Sequence, residues 1–169
     1  MKKKVLIISY YWPPAGGPGV QRWLKFVKYL PDFNIEPIVY IPENPSYPIT
    51  DQQLMTEVNP EIKILKTKIS EPYKFAKFFS KATTQSISSG IIPNKRKQGF
   101  LEKLLLWVRG NLFIPDARIG WVKPSVSYLK NYLKENSVDM IITTGPPHSL
   151  HLIGLELKET TGITWIADF

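Results

Sequence analysis

The sequence has no cysteine, only 2 histidines and no long apolar run. Without cysteine, a disulfide framework and a thiolate metal site are both excluded. His148 and His151 lie three residues apart with no carboxylate beside them at helical spacing, so no metal site is expected. No apolar run is long enough to span a bilayer. The start, Met1–Ile8, has too short an apolar part for a signal peptide, which favours a cytoplasmic location.

The chain has enough apolar residues for a single domain with a sizeable core, because 43% of its 169 residues are hydrophobic. Its net charge of +8 is distributed unevenly. Residues 73–123 contain ten basic side chains and two acidic ones, which accounts for the whole excess. The positive charge therefore belongs to one segment of the chain, and the rest of the chain is balanced.

Short apolar runs alternate with segments of helical spacing along most of the chain. Strands are predicted at Val5–Ser9, Ile35–Ile41, Ile62–Leu65, Val138–Thr143 and Ile163–Ala167. Helices are predicted from Val20 to Pro31, over Val122–Leu133 with Pro124 in the first turn, and from Pro147 to Thr161 with Gly162 as terminator. This alternation predicts an α/β fold, a Rossmann-like, doubly wound, mostly parallel sheet with helices on both faces.

The basic segment, about residues 73–120, breaks this alternation and is predicted to be a helical excursion. It contains two amphipathic patterns, Phe75–Ala82 and Leu101–Leu112, separated by a polar loop. Basic residues beside apolar helical faces favour contact with an anionic membrane surface over a merely solvated surface. Nucleic acid ranks below both, because no nucleic-acid-binding signature is present. The expected membrane-contact residues are Lys74, Lys77, Lys81, Lys95, Arg96, Lys97 and Trp107.

The loop after the first predicted strand, in "VLIISYYWPPAGGPGVQR", is rich in glycine. Ligands of parallel α/β sheets bind beyond the carboxyl ends of the strands. Gly16, Gly17 and Gly19 are therefore candidates for binding an anion through backbone N–H groups and the start of the next helix. The spacing matches neither G-x-G-x-x-G nor a P-loop. A turn that merely requires positive φ stays open as the alternative.

Two side chains beyond the later strands are candidate catalytic residues. His148 follows two prolines in "TTGPPHS" at the expected start of a helix, and the alternative is a surface histidine. Asp168 ends the last strand, where it can act as acid, base or hydroxyl binder, or as an N-cap. His151 is expected to be a packing or surface residue.

The stretches "KVLIISYYWPPAGGPGVQR" and "IITTGPPHSLHLIGLELKETTGITWIADF" together resemble the N-terminal half of a glycosyltransferase of family 4. The resemblance implies a GT-B enzyme with two Rossmann-like domains, in which residues 1–169 form the acceptor-side domain. It implies retention of anomeric configuration, a nucleotide-sugar co-substrate, and no metal or other cofactor. The C-terminal domain that would hold most of the donor is not in this chain. The fragment alone is therefore expected to be inactive.

The same resemblance assigns roles to individual residues. It implies that Gly16, Gly17 and Gly19 reach the donor diphosphate, and that the acceptor is a glycan or a lipid-linked molecule of the cell-envelope or exopolysaccharide type. Peripheral binding at the inner face of the membrane is expected. Several relatives have a histidine at the end of the strand that here ends in Thr143, so transferring that role to His148 departs from the family pattern.

Acceptor contacts are predicted for Tyr11, Trp12 and Arg118, since an aromatic ring can stack on a sugar, although such rings more often pack in a core. Two alternatives of other classes stay open. The first is a stand-alone Rossmann-like module that binds a nucleotide or another anion without catalysis. The second is a dinucleotide-dependent oxidoreductase with Glu43 holding a ribose, which the missing glycine pattern disfavours.

Overall fold

A computed structural model describes residues 2–71 and 114–169 of the chain. Most of the predicted basic excursion falls between these two ranges. Its two predicted amphipathic helices and all the expected membrane-contact residues lie outside the described residues; these residues are Lys74, Lys77, Lys81, Lys95, Arg96, Lys97 and Trp107.

The described residues form a five-stranded sheet in which every neighbouring pair of strands is parallel. The strand order is β3-β2-β1-β4-β5. The predicted Rossmann-like α/β fold is confirmed, and each strand lies within about two residues of its predicted bounds. The strands are β1 (Lys3–Ile8), β2 (Ile35–Pro42), β3 (Lys63–Thr67), β4 (Met140–Thr144) and β5 (Thr164–Asp168).

Helices connect the strands and cover both faces of the sheet. Gly162 ends the last helix in the left-handed conformation (φ 73°), as its position predicts. Short 3₁₀ turns follow the first helix and precede β3. The helices are α1 (Pro18–Tyr29), α2 (Ile119–Glu135) and α3 (Leu150–Thr161), and the 3₁₀ turns are Leu30–Phe33 and Gln52–Glu57.

Two apolar cores lie on opposite faces of the sheet because successive side chains of a strand point to opposite faces. Leu6 and Ile8 of β1 belong to the core under α2 and α3. Val5 and Ile7 belong to the core under α1. A strand that is buried on both faces reads as a continuous apolar run, and this is the pattern that predicted β1.

Aromatic stacking and hydrogen bonds attach α2 to the sheet. The rings of Tyr40 and Trp121 are stacked, with centroids 5.1 Å apart and planes 4° apart. The Tyr40 hydroxyl donates to Ser125 Oγ at 2.8 Å, and Trp121 Nε1 donates to Thr67 Oγ1 at 3.0 Å. Each buried polar atom in this contact has a partner, so the two rings can be buried without leaving unsatisfied donors.

The predicted bounds of two helices were wrong. Helix α2 begins at Ile119, so Pro124 lies in its second turn and not in its first. Proline there removes one helical hydrogen bond, but Pro124 is exposed, so water can solvate the freed carbonyl. Helix α3 begins at Leu150, because the residues from Pro147 to Ser149 form a turn before it.

Candidate functional site

The strand order brings the two motif loops to one edge of the sheet. At the carboxyl end of β1, Ile8 pairs with Tyr40 of β2 on one side and with Thr143 of β4 on the other. The loop after β1 leads to α1 on one face, whereas the loop after β4 leads to α3 on the other. The crevice between two such diverging loops is where open α/β sheets bind ligands.

The first half of the glycine loop is fixed by backbone hydrogen bonds. The N–H of Gly16 donates to the carbonyl of Ile49 at 3.0 Å, and the N–H of Asp51 donates to Pro14 at 2.8 Å. A Cβ on Gly16 would lie 3.0 Å from Ile49 Cγ2. A side chain on Gly16 would therefore have to push Ile49 aside, and the N–H of Gly16 is already engaged and is not available to a phosphate.

The second half of the glycine loop opens towards solvent. Gly17 has φ +115° and immediately precedes α1, so this position has the positive φ that favours glycine. Pro18 occupies the first turn of the helix. The N–H groups of Gly19 and Val20 have no helical acceptor, because the first turn of any helix leaves its donors unpaired. This half of the loop has the donors and the helix dipole that an anion requires.

An aspartate from a distant loop fixes the turn that carries His148. Asp116 Oδ2 accepts from the backbone N–H of Ser149 at 2.8 Å, and Asp116 Oδ1 accepts from the Ser149 hydroxyl at 2.9 Å. Asp116 Oδ1 also accepts from the N–H of Arg118 at 2.8 Å. His148, one residue earlier, is exposed. The turn is thus held by a carboxylate, and the imidazole projects from it.

His151 is buried, with 8% of its surface exposed, and it has a specific partner. Its Nδ1 lies 2.8 Å from Thr143 Oγ1 at the end of β4. Burial lowers the pKa of His151, and the neighbouring His148 lowers it further, while Asp168 opposes both effects. His151 was predicted to be a packing or surface residue. It is indeed packed in the interior, but its hydrogen bond to Thr143 was not predicted.

Asp168, at the end of β5, is held by α1. It forms an ion pair with Arg22 and accepts from Trp23 Nε1 at 3.1 Å. Its carbonyl accepts from the N–H of Gly145 at 2.9 Å. Asp168 therefore lies at the predicted edge, and its carboxylate already has two partners there.

Arg118 belongs to a buried cluster of charged and aromatic residues. The Tyr10 hydroxyl donates to Glu71, and Arg118 Nη2 donates to Tyr10 at 3.2 Å and pairs with Glu71 at 3.3 Å. The guanidinium lies 4.8 Å from the centre of the Tyr10 ring, within range of a cation–π interaction.

Protonation in this cluster follows from its burial. Burial raises the pKa of Tyr10, so the phenol keeps the proton that it donates to Glu71. Burial alone would lower the pKa of Arg118, but Tyr10 and Glu71 raise it above its ordinary value. Burial also raises the pKa of Tyr47 to about 12. Arg118 therefore stays charged in this cluster, and the phenols stay neutral.

The two aromatic acceptor candidates differ in their surroundings. Tyr11 is half-buried and packs edge-on against Tyr10, with ring centroids 4.8 Å apart. Trp12 is only 2% exposed and belongs to the core under α1. In this conformation Tyr11 can contact a ligand, whereas the Trp12 indole is covered by protein. A large indole buries much apolar surface when it packs in a core, which is the more frequent role of such rings.

Sequence reasoning missed several residues of this edge, among them Tyr10, Glu71, Asp116 and Thr143. Their partners are far away along the chain, so no local spacing identifies them. One signal was present in the sequence: Asp116 is one of two acidic residues in the basic segment. Within residues 2–71 and 114–169, no group of three or more histidine, aspartate or glutamate side chains is placed to hold a metal ion.

Comparisons with known proteins do not identify a family for this chain. No protein-family model matches the chain, and no curated protein matches it. Among solved structures, the chain is similar to the C-terminal domain of a hydrogenase from Pyrococcus furiosus, with 12% identity, a TM-score of 0.48, and 99% of this chain and 91% of that one covered. A second structure of that domain gives 11% identity, a TM-score of 0.47, and coverage of 98% and 90%.

Proposed function

We propose that this chain is the acceptor-binding domain of a retaining glycosyltransferase that moves a sugar from a nucleotide-sugar to a glycan or lipid-linked acceptor. The observation that supports it best is the pairing of β1 with β4. This pairing puts the glycine loop with its helix start next to the loop that carries the exposed His148, at one edge of the sheet. Two such neighbouring loops would suit a substrate that has a diphosphate at one end and a sugar at the other.

The proposed role of the glycine loop is to stabilise the departing nucleotide. When the bond from the sugar to the diphosphate breaks, negative charge develops on the phosphate oxygen. The N–H groups of Gly19 and Val20 and the positive end of α1 favour that charge. A single well-placed donor of this kind contributes about 3–4 kcal/mol to a transition state. Most other contacts to the donor are expected to come from a second domain.

The proposed acceptor position lies between Tyr11, Arg118 and His148. The half-buried ring of Tyr11 can stack on a sugar, and exposed His148 can hydrogen-bond to a hydroxyl group. The Arg118 guanidinium has further donors besides those used by Tyr10 and Glu71. Asp168 lies beside this position, at the end of β5. Its partners Arg22 and Trp23 hold the end of β5 against α1.

Membrane contact is part of the same proposal. It depends on basic and apolar residues that lie outside the described ranges, so it stays a prediction from composition. Within the described residues, no helix is both long and apolar enough to cross a membrane. Sedimentation with vesicles of anionic lipid, compared with neutral vesicles, is the direct test of this part.

Gly19 offers a sharper test of the proposed activity than Gly17. A side chain on Gly17 is strained whatever space surrounds it, because of its φ of +115°. Gly19 has ordinary φ, and no heavy atom lies within 4 Å of the position that a Cβ would occupy there. Gly19→Val therefore adds bulk over the N–H groups at little cost in stability. The matched control is Gly120→Val, at the start of α2, where the surrounding space is equally open.

In the complete enzyme, we expect Gly19→Val to lower kcat/KM for a nucleotide-sugar by about a hundredfold or more, as for loss of a transition-state donor. Gly120→Val should leave kcat/KM close to that of wild type. Equal losses in both variants would contradict the proposal. Micromolar binding of a free nucleotide by the 169-residue chain alone would instead favour a stand-alone binding module.

A further inference from the structure

A chain of hydrogen bonds leads from the edge strand to the buried histidine. Trp165 Nε1 lies 2.9 Å from Thr143 Oγ1, and the same oxygen lies 2.8 Å from His151 Nδ1. An indole N–H can only donate, so Thr143 accepts from Trp165. The Thr143 side chain is fully buried, and its own proton needs an acceptor. His151 Nδ1 is the acceptor within reach, so the other ring nitrogen, Nε2, carries the imidazole proton.

Two glycines make this arrangement possible. A Cβ on Gly154 would lie 2.2 Å from Trp165 Nε1, so any larger residue would displace the indole from Thr143. A Cβ on Gly145 would lie 2.9 Å from His148 Nδ1 and 3.0 Å from His151 Nε2. Both imidazoles therefore face the backbone of the loop that follows β4, at the edge where the proposed site lies.

The Nε2 atom of His151 is buried and has no hydrogen-bond partner among the described residues. A buried donor without an acceptor costs about 1–3 kcal/mol, and such a group in a folded protein requires an explanation. The ring of Phe169 lies beside the His151 ring, with the two centroids 4.3 Å apart. Phe169 is 79% exposed, so a ligand can displace its ring from the histidine with little loss of packing.

The surroundings of Nε2 suit an uncharged acceptor. The N–H groups at the start of α3 are already engaged: that of Ser149 donates to Asp116, and those of Leu150 and His151 donate to carbonyls of the preceding turn. The Asp116 carboxylate lies at this helix start and would repel an anion. The free N–H groups that an anion needs are at α1, on the other side of the crevice.

We propose that His151 is a substrate-binding residue, held by Thr143 and Trp165 as a neutral Nε2–H donor for an uncharged oxygen of the substrate, such as a sugar hydroxyl. The choice of a sugar rests on the proposed function. Thr143 and Trp165 are positioning residues, since they act through the histidine. His148 remains the exposed neighbour, and the Phe169 ring lies beside the His151 ring.

The first test determines which ring nitrogen carries the proton, by long-range ¹H–¹⁵N NMR correlation at neutral pH. Wild type and Thr143→Ser, which keeps the hydroxyl, should show His151 protonated at Nε2 alone. Thr143→Val, which keeps the shape and removes the hydroxyl, should lose this preference. Protonation of His151 at Nδ1 in the wild type would overturn the assignment, as would an unchanged spectrum in Thr143→Val.

The second test asks what His151 binds, using methyl glycosides of several hexoses and inorganic phosphate as probes. Saturable shifts of the His151 signals with a glycoside are expected in wild type and in Phe169→Ala, which removes the neighbouring ring. Thr143→Val should weaken the glycoside Kd by about tenfold, the effect of one hydrogen bond. The proposal is overturned if no glycoside shifts His151 in either protein, or if phosphate shifts it and raises its pKa.

These outcomes separate the inference from the proposed function. Glycosyl transfer by the complete enzyme without any response of His151 to sugars would reject the inference and leave the function standing. Glycoside binding at His151 without transfer activity in the complete enzyme would support the inference and reject the proposed function.

Discussion

Asp116 holds the start of α3, because its carboxylate accepts from both the N–H and the hydroxyl of Ser149, 33 residues further along the chain. The Ser149 side chain does not cap α3 itself. The same carboxylate accepts from the N–H of Arg118, at the start of α2. One aspartate therefore fixes two helix starts relative to each other, and with them the positions of Arg118 and His148.

Replacing Asp116 should destabilise the fold through these caps. Asp116→Ala is expected to lower the free energy of unfolding by about 1–2 kcal/mol, the range for loss of a helix cap, measured by urea denaturation. Ser149→Ala removes only one of the donors and should cost less. The double variant should lose less than the sum of the two, because both changes remove the same hydrogen bond. Full additivity would show that the hydrogen bond between the Ser149 hydroxyl and Asp116 contributes nothing.

Gly154 should tolerate no side chain, although it lies within a helix. A Cβ there would lie 2.2 Å from Trp165 Nε1 and 2.8 Å from Thr143 Cγ2. Overpacking of this kind costs about 1–3 kcal/mol, whereas the better helix propensity of alanine returns at most about 1 kcal/mol. Gly154→Ala should therefore lower Tm. Gly120→Ala, in an open helical position, should leave Tm unchanged or raise it, and equal effects at both sites would contradict the packing argument.

The buried pair of Glu71 and Arg118 should be costly to break from one side. Glu71 is only 2% exposed, and Ser46 and Tyr10 also donate to its carboxylate. Glu71→Gln is expected to lower the free energy of unfolding by about 3 kcal/mol, because Arg118 keeps a charge without its counter-ion. Arg118→Met combined with Glu71→Gln should recover part of that loss. A loss in the double variant equal to the sum of the losses in Glu71→Gln and Arg118→Met would show that the pair is not coupled.

Stability should fall on mild acidification, partly because of His151. Burial lowers the pKa of His151 below the ordinary value of 6.5, so the unfolded chain binds a proton more readily than the folded one. The neutral, buried ring contributes its full share of the folding stability at pH values above 6.5. This share is lost as the pH falls below 6.5. The free energy of unfolding can be measured by urea denaturation at neutral and at mildly acidic pH. Its change between the two pH values should be smaller in His151→Gln than in wild type. An identical difference in the two proteins would contradict this origin.

The predicted elements that proved correct depend on signals within a few residues of chain. The apolar run of β1 predicts a strand buried on both faces, and Gly162 ends α3 as a left-handed residue, as its position predicts. The start of α2 was placed too late, since Pro124 was taken for a first-turn proline. The helix begins at Ile119, just after Arg118, whose N–H donates to Asp116. The spacing of the apolar residues does not reveal this start.

The sequence by itself determined the alternation of strands and helices, the glycine-rich turn, and the edge at which both motif loops would meet. These follow from side-chain periodicity and from the conformational freedom of glycine, which act over short distances along the chain. Only the tertiary structure decided that Gly16 uses its N–H within the fold, that Trp12 belongs to the core, and that His151 is tied to Thr143. Each of these depends on which distant segments come into contact, and close packing of the two cores sets those contacts.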